Sequence, residues 1–286
     1  MVKIVVLGSF NMDLITYIER IPNLGETVTD GTLHTLHGGK GSNQAVAAAR
    51  LGAEVTMIAG VGDDKFAQEA YDLWKNEGIN TDYVRQVGNI ATGTASILVD
   101  AQGENMIAVA SGANREIQKE DVSRAESLIA EADILMAQLE VSLDIVEFAF
   151  EIAQKHQTKI LLNPAPVRDG LDKLLALADI ITPNEGESQA IGELPLGKLI
   201  VTTLGSKGAK WQTSDNQGIV PAFEVDAIDT VGGGDAFNAG LAVAIAEGQS
   251  IEDAVKFANA VGALAVTKRG ATASMPTREA VDDFLR

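Results

Sequence analysis

The sequence predicts an α/β fold in which a largely parallel central sheet is covered by helices on both faces. Short strand-like runs alternate with longer amphipathic stretches along most of the 286 residues, and a repeated strand-then-helix order is typical of parallel sheets. Apolar residues make up 46% of the chain, which suits one large domain with an appendage. Two stretches of a different pattern, 13–36 and 92–110, interrupt this order and predict a small separate β-sheet.

The strands of the main sheet are predicted where short apolar runs occur. In chain order they are Lys3–Leu7, Val55–Ala59, Ile134–Leu139, Lys159–Leu162, Asp179–Thr182 and Leu199–Thr203. The predicted helices are Ser42–Leu51, Lys65–Asn76, Leu143–His156, Gly234–Ala246 and Ile251–Val266. Gly78 suits the C-cap of the second helix, because glycine readily adopts the left-handed conformation found there.

The two interrupting stretches carry turn signals between alternating runs. Thr94–Val99 and Asn105–Val109 flank the turn Asp100-Ala101-Gln102-Gly103, which predicts a β-hairpin. The earlier stretch is rich in Thr and contains the turn Asn23-Leu24-Gly25. We expect both stretches to form a small sheet that stands off the main domain.

The composition argues against several classes of protein. Cysteine is absent, which excludes disulfides, zinc–thiolate sites and cysteine nucleophiles. The formal net charge of −18 argues against nucleic acid and anionic membranes as partners. No apolar run approaches the roughly 20 residues that span a bilayer. The N-terminus leads directly into a strand-like run, so no signal peptide is predicted and a cytoplasmic location is expected.

A glycine-rich turn, Asp229-Thr230-Val231-Gly232-Gly233-Gly234-Asp235, is the main candidate for catalysis. Three successive glycines suit a turn whose backbone approaches a ligand closely. They lie at the N-terminus of a predicted helix, where free N–H groups and the helix dipole favour anions. Asp235 could therefore act as a general base toward a hydroxyl, beside glycine N–H groups that stabilise a transferred phosphoryl group. A glycine loop with Asp235 as a simple N-cap is the alternative.

A second glycine-rich segment, His37-Gly38-Gly39-Lys40-Gly41-Ser42-Asn43-Gln44, also precedes a helix. Its Lys and Asn suit a polar ligand at the helix N-terminus. The spacing matches neither a Walker A loop nor a dinucleotide fingerprint. The alternative is a tight strand–helix connection with a solvated Lys.

Polar side chains follow several predicted strands, where open α/β sheets bind ligands. Asn11 and Asp13 are two apart and share a face of an extended segment, which suits adjacent sugar hydroxyls or an Asx-turn. Glu140 follows the strand that starts at Ile134, where it could bind a ligand or simply begin a helix.

Two further segments follow later strands. Asn184 and Glu187 lie one helical turn apart, which suits either Mg²⁺ held through water or a capping pair. Thr203-Leu204-Gly205-Ser206-Lys207-Gly208 suits nucleotide contact or an ordinary hairpin connection.

The order of these motifs resembles that of the ribokinase family of sugar kinases, and the resemblance covers essentially the whole chain. The matching segments are Asn11-Met12-Asp13, Gly38–Ala45, Gln138-Leu139-Glu140, Asn163-Pro164-Ala165-Pro166, Thr182-Pro183-Asn184-Glu185, Thr203–Gly208 and Asp229–Asn238. The resemblance implies a ribokinase-like three-layer α/β/α sandwich with a small β-sheet lid. The main domain would comprise residues 1–12, 38–91 and 111–286, and the lid residues 13–37 and 92–110.

The resemblance also implies a role for each matching residue. Asp235 would deprotonate the 5-hydroxyl of D-ribose for attack on ATP, with Gly232, Gly233 and Gly234 as anion hole. Sugar contacts would come from Asn11, Met12, Asp13, Gly39, Lys40, Gly41, Ser42, Asn43, Glu140 and Asp235. ATP contacts would come from Asn184, Thr203, Leu204, Gly205, Ser206, Lys207, Gly208, Gly234 and Asn259, with Glu187 helping to hold Mg²⁺. An activating K⁺ would lie among Asp229, Val231, Ala265, Lys268, Gly270 and Ser274. The lid would also pair two subunits in a homodimer.

The sequence departs from the family pattern at three places. Gly233 stands where alanine is more usual, which would loosen the anion hole, and Ser42 replaces a frequent alanine. The stretch 188–198 is shorter than in many relatives by about one helix. None of these changes removes a catalytic group.

Several functions remain open from the sequence. A kinase of 2-deoxyribose or of another sugar is the nearest alternative, and Asn11 favours ribose because its amide can bond a hydroxyl that 2-deoxyribose lacks. A non-catalytic sugar sensor on the same fold is disfavoured by Asp235 together with the glycines. A dinucleotide-dependent dehydrogenase is disfavoured by the missing fingerprint.

Overall fold

The computed structural model describes residues 1–286 and contains thirteen strands in two sheets. The strands are β1 Lys3–Leu7, β2 Asn11–Tyr17, β3 Thr32–Gly38, β4 Glu54–Val61, β5 Asn80–Gln86, β6 Thr94–Val99, β7 Asn105–Ala110, β8 Ile134–Ala137, β9 Lys159–Leu162, β10 Ile180–Ile181, β11 Leu199–Thr203, β12 Ala209–Gln212 and β13 Gln217–Val220. The α-helices are α1 Lys40–Arg50, α2 Lys65–Asn76, α3 Lys119–Arg124, α4 Glu126–Glu131, α5 Leu143–His156, α6 Asp172–Leu177, α7 Glu185–Ile191, α8 Gly233–Ala246, α9 Ile251–Ala265, α10 Ala271–Ser274 and α11 Arg278–Phe284. Two short 3₁₀ turns lie at Gly112–Arg115 and Gly205–Lys207.

The main sheet has nine strands in the order β13-β12-β11-β10-β9-β8-β1-β4-β5. All neighbours from β11 to β5 pair in parallel, and β12 and β13 add an antiparallel edge. The predicted fold class, a largely parallel sheet with a small second sheet, is confirmed.

Helices cover both faces of the main sheet because its central strands bury both faces. In β1, Ile4 and Val6 join a core with α1, α8 and α9, whereas Val5 and Leu7 join a separate core with α3 to α6. This alternation follows from the two-residue repeat of a strand. The first core is the larger, and its helices α1 and α8 begin at the two glycine-rich segments.

The small sheet has four strands in the order β3-β2-β6-β7, in which only β2 and β6 pair in parallel. The whole of β7 and most of β3 are exposed. The sheet includes Asn11, Met12 and Gly38, which lie just outside the predicted lid ranges. These residues therefore connect the small sheet to the end of β1 and the start of α1.

The predicted elements are present, with bounds that differ by a few residues. Helix α1 begins at Lys40 rather than Ser42, and β10 is reduced to two residues. The sequence interpretation missed the edge strand β5, the hairpin of β12 and β13, and six short helices, namely α3, α4, α6, α7, α10 and α11. Among all the helices, none is long and apolar enough to cross a membrane.

Candidate active site

Asp235 lies in the first turn of α8, three residues after Gly232, the N-cap position of that helix, where the backbone requires glycine. Gly232 has φ 79°, and a Cβ there would lie 2.9 Å from the Ala271 Cα. The positive φ and the close approach explain why the sequence needs glycine before this helix. The turn therefore places the Asp235 carboxylate at a helix N-terminus, as predicted.

Two amides from α1 hold the buried Asp235 carboxylate. Asn43 Nδ2 donates to Oδ2 at 2.9 Å, and Gln44 Nε2 donates to Oδ1 at 3.0 Å. No N-cap bond is made by this side chain, so the capping alternative does not account for it. Each oxygen is fixed by one bond and retains acceptor capacity for a further ligand.

The surroundings of Asp235 have opposing effects on its pKa. Burial raises the pKa of Asp235 above its ordinary value, while Lys40 and the amides of Asn43 and Gln44 counteract that rise. Reciprocally, the Asp235 charge is the main reason why the pKa of Lys40 is raised. A buried carboxylate with a raised pKa is better suited to accept a proton from a bound hydroxyl than an ordinary surface carboxylate.

Two residues in this network were not predicted. Gln44 contacts Asp235 directly, and its Oε1 accepts a bond of 2.6 Å from Gln138 Nε2. The single hydroxyl proton of Thr272 has two acceptors within reach, Asn43 Oδ1 at 2.6 Å and the His37 carbonyl oxygen at 2.9 Å. Gln44 belongs to the glycine-rich segment before α1, so its position beside Asn43 could have indicated a role in the site. No feature of the sequence pointed to Thr272.

The segment before α1 is packed tightly against the loop after β1. Gly39 has φ 88°, and a Cβ there would lie 2.7 Å from the Asn11 backbone nitrogen. Glu140 is anchored at the same place, because its Oε2 accepts bonds from Ser9 Oγ and, at 2.9 Å, from the Lys40 backbone N–H. The segment is thus a tight strand–helix connection, but Lys40 is half-buried among carboxylates rather than solvated.

Asp13, on the small sheet, lies near both Glu140 and Asp235. It lies two residues after Asn11 on β2, so the two side chains share a face. Burial, followed by the charges of Glu140 and Asp235, raises the pKa of Asp13 to about 7. The structure therefore brings Asp13, Lys40 and Glu140 close to Asp235. The predicted sugar contacts Met12, Gly41 and Ser42 are buried as well, but Met12 belongs to the hydrophobic core. Ser42 Oγ is already bonded to Trp74 Nε1.

The three glycines differ in their backbone bonds. The Gly233 N–H donates to the Thr230 carbonyl at 3.3 Å, whereas the N–H groups of Gly232 and Gly234 make no intramolecular bond. A Cβ at Gly233 would lie 2.8 Å from Val266 Cγ1. Val266 thus occupies the space that an alanine methyl at 233 would need, which gives a physical reason for this departure from the family pattern.

A cavity of about 570 Å³ is lined by Gly233 and Gly234. Its lining includes the predicted residues Thr203, Gly205, Ser206, Gly208, Gly234 and Asn259. Leu204 and Lys207 do not line it, whereas Gly233, predicted for the anion hole, does. The rest of the lining was not predicted and comprises the stretch 222–225, Ala227, Thr230, Phe237, Gly262, Ala263 and Val266. Such a volume, mostly apolar with a few polar groups, is typical of a small-molecule site.

Asn184 and Glu187 form the capping pair that the sequence left open. Asn184 Oδ1 accepts from the Glu187 N–H, and Glu187 Oε2 accepts from the Asn184 N–H, both at 2.8 Å. Burial raises the pKa of Glu187, and Lys40 opposes the rise. The pair lies outside the lining of the cavity described above.

The loop predicted to hold a monovalent cation is closed by Asp229. Its Oδ1 accepts from the Val231 N–H at 3.0 Å and its Oδ2 from the Gly270 N–H at 2.9 Å. Ala265 lies at the end of α9, where its carbonyl accepts from the Lys268 N–H at 3.3 Å. Ser274 Oγ donates to the Ala271 carbonyl at 2.9 Å. No group of three or more His, Asp or Glu side chains forms a metal site anywhere in the chain.

A buried carboxylate between a polar pocket and a nucleotide-sized cavity, beside free N–H groups at a helix N-terminus, defines a phosphotransferase that acts on a small hydroxyl compound. The chain belongs to the pfkB family of carbohydrate kinases, which it matches over residues 1–278.

Full-length relatives support this assignment. The chain is 39% identical over 297 residues to a ribokinase of Haemophilus influenzae, covering 98% of this chain and 97% of the relative. It is 38% identical over 300 residues to a deoxyribokinase of Salmonella typhi, covering 99% of this chain and 98% of the relative. The solved structure of Arabidopsis thaliana ribokinase complexed with ribose and ATP has a TM-score of 0.89 and 31% identity, covering 100% of this chain and 99% of that one.

Proposed function

We propose that the protein transfers the γ-phosphoryl group of ATP to O5 of D-ribose, with Asp235 as the general base. The observation that carries this proposal is the Asp235 carboxylate, buried at the start of α8 and oriented by Asn43 and Gln44. The relatives named ribokinase and the ribokinase structure with ribose and ATP support the choice of substrates.

The reaction balances at named atoms. An Asp235 carboxylate oxygen takes the proton of the 5-hydroxyl, and O5 forms a bond to the γ-phosphorus. The bond between that phosphorus and the β,γ-bridging oxygen breaks, and ADP leaves with the electron pair. The N–H groups of Gly232 and Gly234 make no bond within the chain, so they are free to stabilise the negative charge that develops on the transferring group.

The pocket between α1, β2 and Glu140 would bind the sugar. Asp13 and the remaining oxygen of Glu140 accept bonds from hydroxyl groups, while Asn11 and Lys40 donate. The small sheet would cover this pocket as a lid, because Asn11 and Asp13 lie at its junction with the main domain. Excluding water there disfavours hydrolysis of ATP.

The residues present are compatible with two metal ions. Glu187 keeps one carboxylate oxygen free of the capping pair, which suits an outer contact to the water shell of Mg²⁺; that ion supplies charge neutralisation on the phosphates. The Asp229 carboxylate ties the backbone at Val231 to that at Gly270, and backbone carbonyl oxygens are suitable K⁺ ligands. We propose that these residues hold Mg²⁺ and K⁺.

The lid also supports a homodimer. Val109 pairs with Ala95 and Ala95 with Asp13, so the sugar-facing side of the lid continues onto β7. On that side Ile107 and Val109 are 55% and 56% exposed. A second copy of the lid would cover these apolar side chains, which a single chain leaves in water.

Release of ADP with a panel of sugars tests the proposed function. We expect turnover with D-ribose to exceed that with 2-deoxyribose, fructose and nucleosides, and to be higher in K⁺ than in Na⁺. The wild type without sugar is the control. Absence of ribose-dependent ADP release would contradict the proposal, and a higher kcat/KM for 2-deoxyribose would favour the deoxyribokinase alternative.

A further inference from the structure

A buried asparagine outside the predicted site controls the orientation of Asn11. Asn114 lies in the 3₁₀ turn after β7 and is 1% exposed. Its Oδ1 accepts from the Phe10 N–H at 3.0 Å, and its Nδ2 donates to the Phe10 carbonyl at 2.9 Å. A backbone N–H only donates and a carbonyl only accepts, so these two bonds allow just one orientation of the Asn114 amide.

The second hydrogen of the same amide reaches Asn11. Asn114 Nδ2 lies 2.9 Å from Asn11 Oδ1. Because the Asn114 amide cannot be reversed, the Asn11 carbonyl oxygen must face it, and the Asn11 amide is fixed in turn. This leaves the Asn11 amide nitrogen, Nδ2, without a partner in the chain, although Asn11 is only 4% exposed.

Gly93 makes this contact possible. A Cβ at position 93 would overlap both the Asn11 carbonyl oxygen and the Asn114 amide nitrogen. The backbone of Gly93 accepts a bond from the Met12 N–H at 2.8 Å, which holds it beside the pair. Three separate segments thus converge on one side-chain orientation at the start of β2.

We propose that Asn114 is a positioning residue that sets the sugar specificity by presenting Asn11 to the pocket as a hydrogen-bond donor. This inference rests on the proposed function. A sugar with a hydroxyl at C2 supplies the acceptor oxygen for Asn11 Nδ2. Its 2-deoxy analogue leaves a buried donor unpaired, which corresponds to a loss of about 5- to 150-fold in affinity.

Calorimetric titration of ribose and 2-deoxyribose, together with kcat/KM for both sugars, tests the inference in a double-mutant cycle. In Asn114→Ala, the ribose-to-deoxyribose ratio should fall at least about fivefold, through a higher Kd and KM for ribose rather than a lower kcat. In an Asn11→Ala background, the same substitution should leave the ratio unchanged. Asn114→Ser, which keeps a polar group beside the Phe10 backbone, replaces the alanine variant if that variant does not fold.

A stability control separates positioning from general damage. Thr158→Val removes a buried bond from Thr158 Oγ1 to the Ile129 carbonyl, on the helical layer opposite the site, and should affect both sugars equally. Equal losses for both sugars in the Asn114 variants, or a wild type that binds both sugars equally, would overturn the inference. A wild type that binds ribose selectively but turns over neither sugar would overturn the proposed function alone.

Discussion

Asp235 accepts one bond on each carboxylate oxygen, and this arrangement makes the effect of an isosteric substitution predictable. Asp235→Asn removes the base, so we expect kcat to fall about 10²- to 10⁴-fold. Its new NH₂ group would face the NH₂ group of Asn43 or Gln44, so ribose affinity should also weaken, although by less than kcat. Single-turnover kinetics and ribose calorimetry measure the two effects separately.

Asp235→Ala is the companion variant, because it removes the base without introducing a donor. It should lose kcat to a similar extent while binding ribose at least as well as Asp235→Asn. Retained turnover in both variants would place the general base elsewhere.

Asp13 should make ribose binding depend on pH. Its pKa of about 7 means that the free protein carries a mostly protonated carboxyl at pH 6 and a mostly ionised one at pH 8. If the sugar hydroxyls bond the ionised form, affinity for ribose should rise about tenfold between these values. Calorimetry in buffers of different ionisation enthalpy would detect proton release on binding below pH 7, and Asp13→Asn should abolish that release. Unchanged proton release in the variant would contradict this assignment.

The raised pKa of Asp13 also makes folding stability depend on pH, and stability changes with pH in the direction opposite to ribose affinity. The unfolded value is the lower one, so folding takes up a proton between the two values. The stability contributed by protonated Asp13 is therefore complete below the unfolded pKa and is lost as the pH rises through about 7. Ribose binding and folding thus favour different protonation states of this residue.

At the scale of elements, the junction of α8 and α9 explains the unusual Gly233. In Gly233→Ala, the new methyl would press on Val266 Cγ1, so we expect a loss of about 1–3 kcal/mol in unfolding free energy and a lower kcat. Adding Val266→Ala should recover most of both losses. Urea unfolding and kinetics of the two single variants and the double variant form a complete cycle. Additive losses in the double variant would contradict the contact.

How well the elements were predicted follows from their length and pattern. The 14-residue α5 was predicted with its observed bounds because its amphipathic repeat is sustained. By contrast, α10 has four residues and β10 two, too short for any period to be visible. The hairpin of β12 and β13 was missed because its polar turn separates two strands of only four residues.

The glycine-rich segments and most polar site residues were predictable because each follows a strand or begins a helix. Their side-chain partners were not predictable. Gln44 meets Asp235 across 191 positions and Asn114 meets Asn11 across 103. Such contacts depend on the packing of α1, α8 and the lid, which one sequence does not reveal.

At the scale of the whole molecule, the exposed side of the lid predicts a dimer. Ile107→Asp should shift the protein to a monomer and weaken ribose binding, because a charge would replace apolar contact area between two lids. Ile219→Asp is the matched control, since Ile219 is 66% exposed on the distant strand β13 and should leave the assembly unchanged. Analytical ultracentrifugation measures the oligomeric state of both variants. A monomeric wild type, or a dimeric Ile107→Asp, would contradict the proposed interface.

The central claim is that the chain places phosphate on O5 of ribose, and phosphorus NMR of the product tests it most directly. With ATP, Mg²⁺, K⁺ and D-ribose, we expect one product, ribose 5-phosphate, formed in equal amount to ADP and at least about 100-fold more slowly with Asp235→Asn. No sugar phosphate, a phosphate on another hydroxyl, or formation of the product by Asp235→Asn at the wild-type rate would contradict the account.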